Sequence, residues 1–576
     1  MGRALHHLAL LAVALLSACA PTTPGGPAPS RTAPGAAAPA QAEAMVAAAN
    51  PLAVEAGLQV LRQGGSAVDA AVAVQGVLGL VEPQSSGLGG GAFLVHYDAR
   101  TRKVTAYDGR ETAPASARPD RFLGPEGEPL PFREAVLSGR STGAPGAIAM
   151  LGLAHRAHGR RPWASLWAEP ARLASEGFTV SPRLAGMIAG SSPQASTPDA
   201  RAYFTKPDGT RYRAGDTLRN PAYAATVRRI AAEGPRALLQ GPIAQAIAAK
   251  TAEAPLPGGL TPADLAAYRP LQREALCRPW RIYVVCVPPP PSSGVSLLQL
   301  LLMLERTDIA GRGPADPQGW HLFAEGSRLM YADRDRYVGD PAFAAVPVAG
   351  MLDPAYVAER AALIGPRAAP SVGAGTPPGA PGRSPDRTLE PAGTSHFVVV
   401  DREGNAVSMT TTVESIFGSG RMVGGFFLNN QLTDFSFQPR DPDGTPAANA
   451  VAPGKRPRSS MSPVIVLDRQ GRFVAALGSP GGTSILAYNA KAMVGAFDWK
   501  LPLQTAVALP NLVARGNSWS VETGLFAPGV VEGLRARGAQ IGEGRSENSG
   551  LHGVRRTPQG LEGAADPRRE GVARGL

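Results

Sequence analysis

The chain has 576 residues, of which 44% are hydrophobic and 18% charged, so it can bury one large core or several smaller ones. Three cysteines are too few for a disulfide-dense miniprotein or a cysteine-rich zinc module. The net charge of +11 is a weak hint of nucleic-acid binding, but the arginines form no basic run, and we expect no nucleic-acid partner.

Residues 1–18 are typical of an export signal. Arg3 precedes an apolar stretch over 8–16, which is shorter than the roughly 20 residues that span a bilayer. The sequence LSAC that ends at Cys19 resembles the lipobox of bacterial lipoproteins, which implies cleavage before Cys19 and a lipid on its thiol. An ordinary signal peptide with a chance cysteine is the alternative. We therefore expect an exported, periplasmic protein whose membrane contact is a lipid anchor.

The segment 19–43 is rich in Pro, Ala and Gly and cannot bury a core, so we expect a disordered tether. A globular pattern begins at residue 44. Apolar runs in it predict two helices, two strands and a later buried helix: 52–63 and 66–81, 92–97 and 103–107, and 295–305.

Cys277 and Cys286 lie at the two ends of the sequence CRPWRIYVVC, whose pattern predicts two strands joined by a turn. In an oxidising compartment the two thiols can pair and close a short loop. Two buried free thiols are the alternative. Either arrangement gives the two cysteines a structural role.

Residues 366–393 are rich in Pro, Gly and Ala, and we expect this segment, here called the leader, to be mobile. A mobile tract in mid-chain normally marks a domain boundary, but this one ends in Gly393 directly before a strong strand that begins at Thr394. Such a segment suits a cleavage between these two residues. Cleavage would divide the chain into a large part, 44–393, and a small part, 394–576.

The sequence TSHFVVVDREGNAVSMTTT, which begins at Thr394, predicts a β-hairpin. A loop centred on Glu403 places Thr394 opposite Thr412, with Glu414 on the same face. Cross-strand threonine pairs are usually sheet packing, so the pairing alone does not identify a site. A threonine nucleophile also needs a base, and a free α-amino group, with a pKa of about 7.7–8.0, supplies one after cleavage.

The stretch TSHFVVVDREGNAVSMTTTVESIFG, from Thr394 to Gly418, resembles the small-subunit signature of the gamma-glutamyltransferases, also called glutathione hydrolases. Val398 departs from this signature, which usually has Ser or Thr there. The resemblance extends from Met45 to Gly575 through these further motifs: NPLAVEAGLQVLRQGGSAVDAAVA, VEPQSSGLGGGAFLVHYD, YDGRETAP, PPPPSSGV, FFLNNQLTDFSF, KRPRSSMSP, GSPGG and ADPRREGVARG.

The resemblance implies an α/β fold, the four-layer αββα sandwich of the N-terminal nucleophile hydrolases. Both halves of a self-cleaving precursor build the sandwich, and they remain together as a heterodimer of a large and a small subunit. Thr394 would be the autoprocessing residue and the catalytic nucleophile, with Thr412 hydrogen-bonded to it. Gly481 and Gly482 would offer backbone N–H groups to the oxyanion.

The resemblance also implies a substrate pocket for glutathione, its conjugates and γ-glutamyl peptides. The acyl group would pass to water, amino acids or dipeptides, and no cofactor or metal is expected. Residues matching the family's α-carboxylate site are Arg110, Ser459 and Ser460. Residues matching its α-ammonium site are Glu414, Gln431 and Asp434.

Two alternatives remain. A cephalosporin or glutaryl acylase of the same superfamily is the first, and the presence of both Arg110 and Asp434 argues against it because a substrate with an α-amino and an α-carboxyl group uses both. A lipoprotein that has lost catalysis and serves as a binding or scaffold protein is the second.

The segment between Asp434 and Ser459 has no aromatic residue beyond Phe435 and Phe437, so we expect an open pocket that cleaves glutaryl compounds slowly.

Overall fold

The computed structural model describes residues 42–386, 388, 390–391, 393–542 and 549–576. The export signal, Cys19 and nearly all of the predicted tether lie outside the described residues. No helix in the described ranges is both long enough and apolar enough to cross a membrane.

Three of the α-helices, α1, α2 and α11, follow the predicted apolar runs. In chain order, the α-helices of the described residues are α1 (Pro51–Arg62), α2 (Ala67–Val81), α3 (Phe132–Leu137), α4 (Ala147–His158), α5 (Ala168–Glu176), α6 (Pro182–Ala189), α7 (Pro198–Tyr203), α8 (Pro221–Glu233), α9 (Gly241–Thr251), α10 (Pro262–Ala267), α11 (Gly294–Glu305), α12 (Pro317–Tyr337), α13 (Val348–Met351), α14 (Pro354–Ala362), α15 (Ile485–Met493), α16 (Leu503–Ala508) and α17 (Val530–Ala536). The predictions for α1, α2 and α11 are therefore confirmed to within one or two residues.

The strands are short in most of the chain. In chain order they are β1 (Met45–Ala48), β2 (Gly91–Asp98), β3 (Lys103–Asp108), β4 (Phe178–Thr179), β5 (Thr217–Leu218), β6 (Leu271–Glu274), β7 (Leu276–Trp280), β8 (Tyr283–Val287), β9 (Gly393–Val400), β10 (Ala406–Glu414), β11 (Met422–Val423), β12 (Phe426–Phe427), β13 (Val464–Asp468), β14 (Phe473–Gly478), β15 (Leu512–Arg515), β16 (Ser518–Val521), β17 (His552–Thr557), β18 (Gly560–Ala565) and β19 (Val572–Gly575). The predicted strands at 92–97 and 103–107 correspond to β2 and β3.

Two antiparallel sheets form the centre of the molecule. The larger has the strand order β19-β1-β9-β10-β2-β3-β6, and the smaller has the order β18-β17-β14-β13-β8-β7. Each sheet contains strands from both sides of the Gly393–Thr394 bond. The two parts of the chain therefore build one structure, and the Pro/Gly-rich leader does not separate two domains.

The apolar side chains divide into layers. One buried cluster, which includes Val95, Val398 and Ile465, fills the space between the two sheets. On the outer face of the larger sheet, α1 and α2 belong to a second cluster with Phe397 and Met409, and α11 and α15 belong to a third cluster on the smaller sheet. This order of layers confirms the predicted α/β fold, a four-layer αββα sandwich.

Local sequence explains how the first two helices are placed. Asn50 caps α1 by accepting a hydrogen bond from the Leu52 N–H, and Pro51 occupies the first turn. Ser66 and Asp69 form a capping box at the start of α2. These caps begin both helices at fixed points. From there α2 packs against β9 and β10, the strand pair that carries Thr394, and α1 packs against β1 and β19.

Cys277 on β7 lies opposite Cys286 on β8, and a disulfide joins the two side chains. Cys286 is fully buried between the sheets. The bond therefore links two neighbouring strands at the edge of the smaller sheet.

Candidate active site

The hairpin β9–β10 has the register that its sequence predicts. Val400 pairs with Ala406, and the pairing continues without a shift to Thr394 opposite Thr412. Both threonines are almost completely buried. Their Oγ1 atoms are 3.1 Å apart, so the two hydroxyls are in direct hydrogen-bond contact.

The hydrogen bonds of Thr412 determine which of these hydroxyls is the donor. Its Oγ1 donates to the carbonyl oxygen of Gly393 at 2.8 Å and accepts the Glu414 N–H at 2.7 Å. A hydroxyl has one hydrogen to donate. The Thr394 hydroxyl must therefore donate to Thr412, beside the intact Gly393–Thr394 peptide bond.

Glu414 departs from the simple hairpin. A β-bulge follows Thr412, so Glu414 pairs with Gly393 and has a φ of 83°. Its side chain nevertheless lines the same cavity as both threonines. The carboxylate accepts from Ser415 Oγ at 2.6 Å and from Asn430 Nδ2. Asn430 is a site residue that the sequence predictions missed, although it lies directly before Gln431 in the NNQLTD motif.

Arg110 and Asp434 contact each other in the uncleaved chain. The Arg110 Nη2 donates to Asp434 Oδ2 at 2.5 Å and to the carbonyl oxygen of Arg458 at 2.6 Å. Gln431 Nε2 donates to the same carboxylate oxygen at 2.6 Å. The three residues that sequence reasoning assigned to the two ends of a γ-glutamyl group therefore lie together.

Burial raises the pKa of two carboxyl groups in this cavity, those of Asp434 and Glu414. It raises the pKa of Asp434 to about 6, although the neighbouring Arg110 acts in the opposite direction. Burial and the negative charge of Asp434 raise the pKa of Glu414 well above its usual range. Both carboxyl groups therefore take up a proton more readily than an exposed carboxyl group does.

Of the remaining predicted residues, Ser459, Ser460 and Gly482 line the same cavity, and Gly481 directly precedes Gly482. Ser459 Oγ accepts the Met461 N–H at 3.1 Å, and Ser460 Oγ donates to a carboxylate of the leader, Glu390 Oε2, at 2.5 Å. Gly481 and Gly482 have φ values of 136° and 56°. A side chain at Gly482 would collide with the carbonyl oxygens of Glu390 and Pro391, so glycine permits the leader to pass closely.

The end of the leader occupies the cavity. Glu390 and Pro391 line it together with Thr394 and Ser460, and the space left is about 20 Å³. That volume holds roughly one water molecule. Two larger clefts, of about 680 and 720 Å³, lie near Gly258 and Phe437, and their walls do not include Thr394. We assign the site to the small cavity because Thr394 and the buried charges converge there.

Elsewhere the leader is also in contact with the rest of the chain. The Gly375 N–H donates to Asp333 at 2.8 Å, and Asp386 is buried against Arg458, 3.0 Å away. Mobility of the leader stays a prediction, and in the uncleaved chain these contacts hold its described residues. Charge pairs between residues far apart in the sequence leave no local pattern. Arg458 and Glu390 were therefore not predicted as site residues.

The chain is similar in sequence and in fold to known proteins. The sequence profile of the gamma-glutamyltranspeptidase family matches residues 53–576. The glutathione hydrolase proenzyme of Bacillus subtilis (strain 168) is 35% identical over 549 residues, which cover 93% of this chain and 92% of that protein. The acylase ACY 1 proenzyme of Pseudomonas sp. (strain V22) is 34% identical and covers 92% of each chain. The crystal structure of a cephalosporin acylase from Bacillus halodurans superposes with a TM-score of 0.81 at 27% identity, covering 96% of this chain and 98% of that one.

Proposed function

This chain belongs to the gamma-glutamyltranspeptidase family, and from that premise we propose that it is a self-processing enzyme that cleaves γ-glutamyl amide bonds with Thr394 as its nucleophile. Glutathione, glutathione conjugates and γ-glutamyl peptides are the proposed donors. Water, amino acids and dipeptides are the proposed acceptors. The observation that carries the proposal is the chain of hydrogen bonds from Thr394 through Thr412 to the Gly393 carbonyl.

Self-cleavage comes first in this scheme. The Thr394 Oγ1 attacks the carbonyl carbon of Gly393, the bond to the Thr394 nitrogen breaks, and the hydroxyl proton passes to that nitrogen. Water then hydrolyses the resulting ester and leaves a free hydroxyl and a free α-amine on Thr394. The Thr412 hydroxyl stabilises negative charge on the Gly393 oxygen during the attack. Residues 44–393 and 394–576 become the large and small subunits of a heterodimer.

The same threonine then acts on the substrate. Its α-amine accepts the hydroxyl proton, Oγ1 attacks the γ-carbonyl carbon, and the proton passes to the leaving amine. Water or an acceptor amine next attacks the γ-glutamyl ester and releases the product. The N–H groups of Gly481 and Gly482 are the proposed donors to the tetrahedral oxyanion.

The charged groups of the cavity are proposed to hold the glutamyl end. Arg110, Ser459 and Ser460 would bind the α-carboxylate, since a guanidinium and two hydroxyls are suitable donors. The acceptors proposed for the α-ammonium are Glu414, Gln431 and Asp434. In the uncleaved chain Arg110 and Asp434 satisfy each other, so substrate binding would replace their mutual contact by contacts to the two charged groups of the ligand.

We also propose that the protein is exported to the periplasm and carries a lipid anchor. Residues 1–18 would direct export to the periplasm, and Cys19 would carry the lipid at the end of the tether. Mass spectrometry of the mature N-terminus tests this, with Cys19→Ala as the variant that should move the protein from the membrane fraction to the periplasmic fraction. An unmodified N-terminus at Cys19, or at another residue, would contradict the lipid anchor.

A second candidate activity is supported by one comparison. The acylase ACY 1 proenzyme is almost as similar to this chain as the glutathione hydrolase proenzymes are. Glutaryl compounds have a carboxylate but no α-amine, so their cleavage would not need Asp434. Turnover of glutaryl-p-nitroanilide that exceeds turnover of γ-glutamyl-p-nitroanilide would favour the acylase.

A denaturing gel and one assay test the main proposal. The wild-type protein should separate into two bands, the smaller comprising residues 394–576, and Thr394→Ala should run as one band. The cleaved protein should release glutamate from glutathione, and glycylglycine should reveal transfer. A wild-type protein that stays in one band would contradict self-processing, and a cleaved protein that releases no glutamate would contradict the donor.

A further inference from the structure

The cleft of about 680 Å³ near Gly258 contains two arginines that contact each other's main chain. Arg121 and Arg140 both line this cleft. The Arg121 Nε donates to the carbonyl oxygen of Arg140 at 2.8 Å, and the Arg140 Nη1 donates to the carbonyl oxygen of Arg121 at 3.1 Å. The Arg121 Nη2 donates to a third carbonyl oxygen, that of Gly258, at 2.7 Å. These contacts hold two guanidinium groups side by side in the wall of the cleft.

The positive charge of this arginine pair has no counter-charge in the protein. In the part of the chain that the structure describes, neither Arg121 nor Arg140 forms an ion pair with a carboxylate, and their hydrogen bonds go to main-chain carbonyls. Arg121 is nevertheless buried, with 7% of its surface exposed. The buried Arg110, by contrast, is paired with Asp434. Because a buried charge without a partner is costly, this place in the cleft favours a bound anion.

The electrostatics agree with this geometry. Burial and the positive charge of Arg140 lower the pKa of Arg121 to about 10. Both effects act against the guanidinium charge, and a bound anion would oppose them. The cleft wall also contains Asp120, but its carboxylate lies 3.5 Å from Arg118, and both of these side chains are more than half exposed. Asp120 therefore pairs at the solvent-exposed rim and leaves the inner arginines to a ligand.

Leucine side chains form another part of the wall. Leu123, Leu130 and Leu256 line the cleft, and each of them is partly exposed. The volume of about 680 Å³ falls within the roughly 300–1,000 Å³ of small-molecule sites, which combine apolar walls with a few polar groups. It is also many times the roughly 30 Å³ that one water molecule occupies. The cleft therefore suits a ligand that joins an apolar body to a negatively charged end.

This cleft is separate from the cavity at Thr394. The walls of the two share no residue in the described part of the chain. Arg140 belongs to a short 3-10 turn, Gly139–Ser141, which packs against the turn Gln431–Asp434. A ligand held by Arg140 would therefore contact a turn that supports the candidate active site without entering it.

We propose that this cleft is a binding site for a small organic anion, in which Arg121 and Arg140 hold a carboxylate or phosphate group and the three leucines contact an apolar body. A guanidinium suits either group because it can donate two parallel hydrogen bonds to a pair of oxygen atoms. The site does not depend on the proposed γ-glutamyl activity. Binding measurements that need no turnover therefore test it.

Calorimetry with four probes tests the class of ligand. 2-Naphthoate and 2-naphthyl phosphate carry the two charged groups, 2-naphthamide is a neutral analogue, and inorganic phosphate lacks the apolar body. The tighter of the two naphthyl anions identifies the preferred group, and its dissociation constant should be about tenfold or more below those of the amide and of inorganic phosphate. An amide or inorganic phosphate that binds as tightly as this anion would overturn the proposal, and so would the absence of binding by every probe.

Variants test the location of the site. Arg140→Gln should raise the dissociation constant of the tighter naphthyl anion about tenfold or more and should leave that of the amide nearly unchanged. Arg121→Gln should act in the same direction, and Arg140, which is only partly buried, decides the matter if that variant does not fold. Arg472→Gln is the control, because the Arg472 side chain is 67% exposed, pairs with Asp468 and lies outside the cleft. Binding to Arg140→Gln that is as tight as binding to wild type would place the anion elsewhere and overturn the assignment.

Discussion

The Thr412 hydroxyl donates a 2.8 Å hydrogen bond to the carbonyl oxygen of Gly393, the residue on the far side of the proposed cleavage point. The same oxygen of Thr412 accepts from the hydroxyl of Thr394. One side chain therefore contacts both the proposed nucleophile and the oxygen on which negative charge would develop. Because a neighbouring strand holds Thr412 in place, these contacts are already formed before any reaction.

Replacement of Thr412 by the nearly isosteric valine should slow self-cleavage. The variant keeps the shape of the strand but loses the donor to the Gly393 oxygen, and loss of one such donor typically costs about 10²–10³-fold in rate. A time course on denaturing gels measures the rate. Thr412→Ser, which keeps a hydroxyl, should remain much closer to wild type. Thr411→Val is a matched control because Thr411 points toward the opposite face. Cleavage of Thr412→Val at the wild-type rate would contradict a role of this hydroxyl.

The hairpin that places these threonines follows from the local sequence. A turn centred on Glu403 and the two-residue period of a strand are sufficient to put Thr394 opposite Thr412. The bulge before Glu414 could not be predicted in the same way. It is accompanied by a positive φ at a non-glycine residue, and contacts with distant segments such as Asn430 hold it.

The charged part of the site depends on long-range packing. Arg110 and Asp434 meet across 324 positions of sequence, and their pairing with each other is visible only in the folded chain. The resemblance to the family identified both residues without indicating that contact. Glu390 gave no signal at all, because a glutamate in a Pro/Gly-rich tract is typical of an exposed loop. Its burial depends on its ion pair with Arg334, which lies in the last turn of α12.

Removal of the disulfide should lower stability and leave the chemistry intact. Cys277 and Cys286 are nine positions apart, and a cross-link that closes so short a loop contributes about 2–3 kcal/mol to the free energy of unfolding. Neither cysteine lines the cavity at Thr394. The variant with both cysteines replaced by alanine should therefore unfold at lower urea concentration, with a kcat close to wild type.

Reductant provides the control for this prediction. Dithiothreitol should shift the unfolding of wild type toward that of the double variant and should leave the double variant unchanged. Equal unfolding midpoints for the oxidised wild type and the double variant would show that the bond contributes nothing to stability.

Glutamine at position 414 should be tolerated. Burial and the negative charge of Asp434 raise the pKa of Glu414 well above its usual range and so favour its protonated form, which an amide of the same length can replace. We expect Glu414→Gln to change kcat/KM for γ-glutamyl-p-nitroanilide by less than about threefold. Asp434→Asn should cost about 10²-fold or more, because it leaves the Arg110 guanidinium buried without its partner. Equal losses in the two variants would show that Glu414 is charged in the working enzyme.

The preference for γ-glutamyl over glutaryl donors should decrease as the pH falls. Burial raises the pKa of Asp434 to about 6, so this carboxylate becomes neutral below that pH and no longer attracts the α-ammonium of a γ-glutamyl donor. A glutaryl donor has no ammonium and loses nothing. Release of the negative Glu390 by the proposed cleavage would lower the pKa of Asp434, so the midpoint should lie at or somewhat below 6.

The ratio of kcat/KM for γ-glutamyl-p-nitroanilide to that for glutaryl-p-nitroanilide isolates this effect. The α-amine of Thr394, with a reference pKa of about 7.7–8.0, is the proposed base for both donors, so its titration should cancel in the ratio. The ratio should be constant from pH 7 to 8 and should fall toward pH 5. In Asp434→Asn it should be low and independent of pH. A wild-type ratio that stays constant down to pH 5 would contradict this role of Asp434. Neutralisation of its carboxylate would then have no effect on the choice between a donor with an ammonium group and a donor without one.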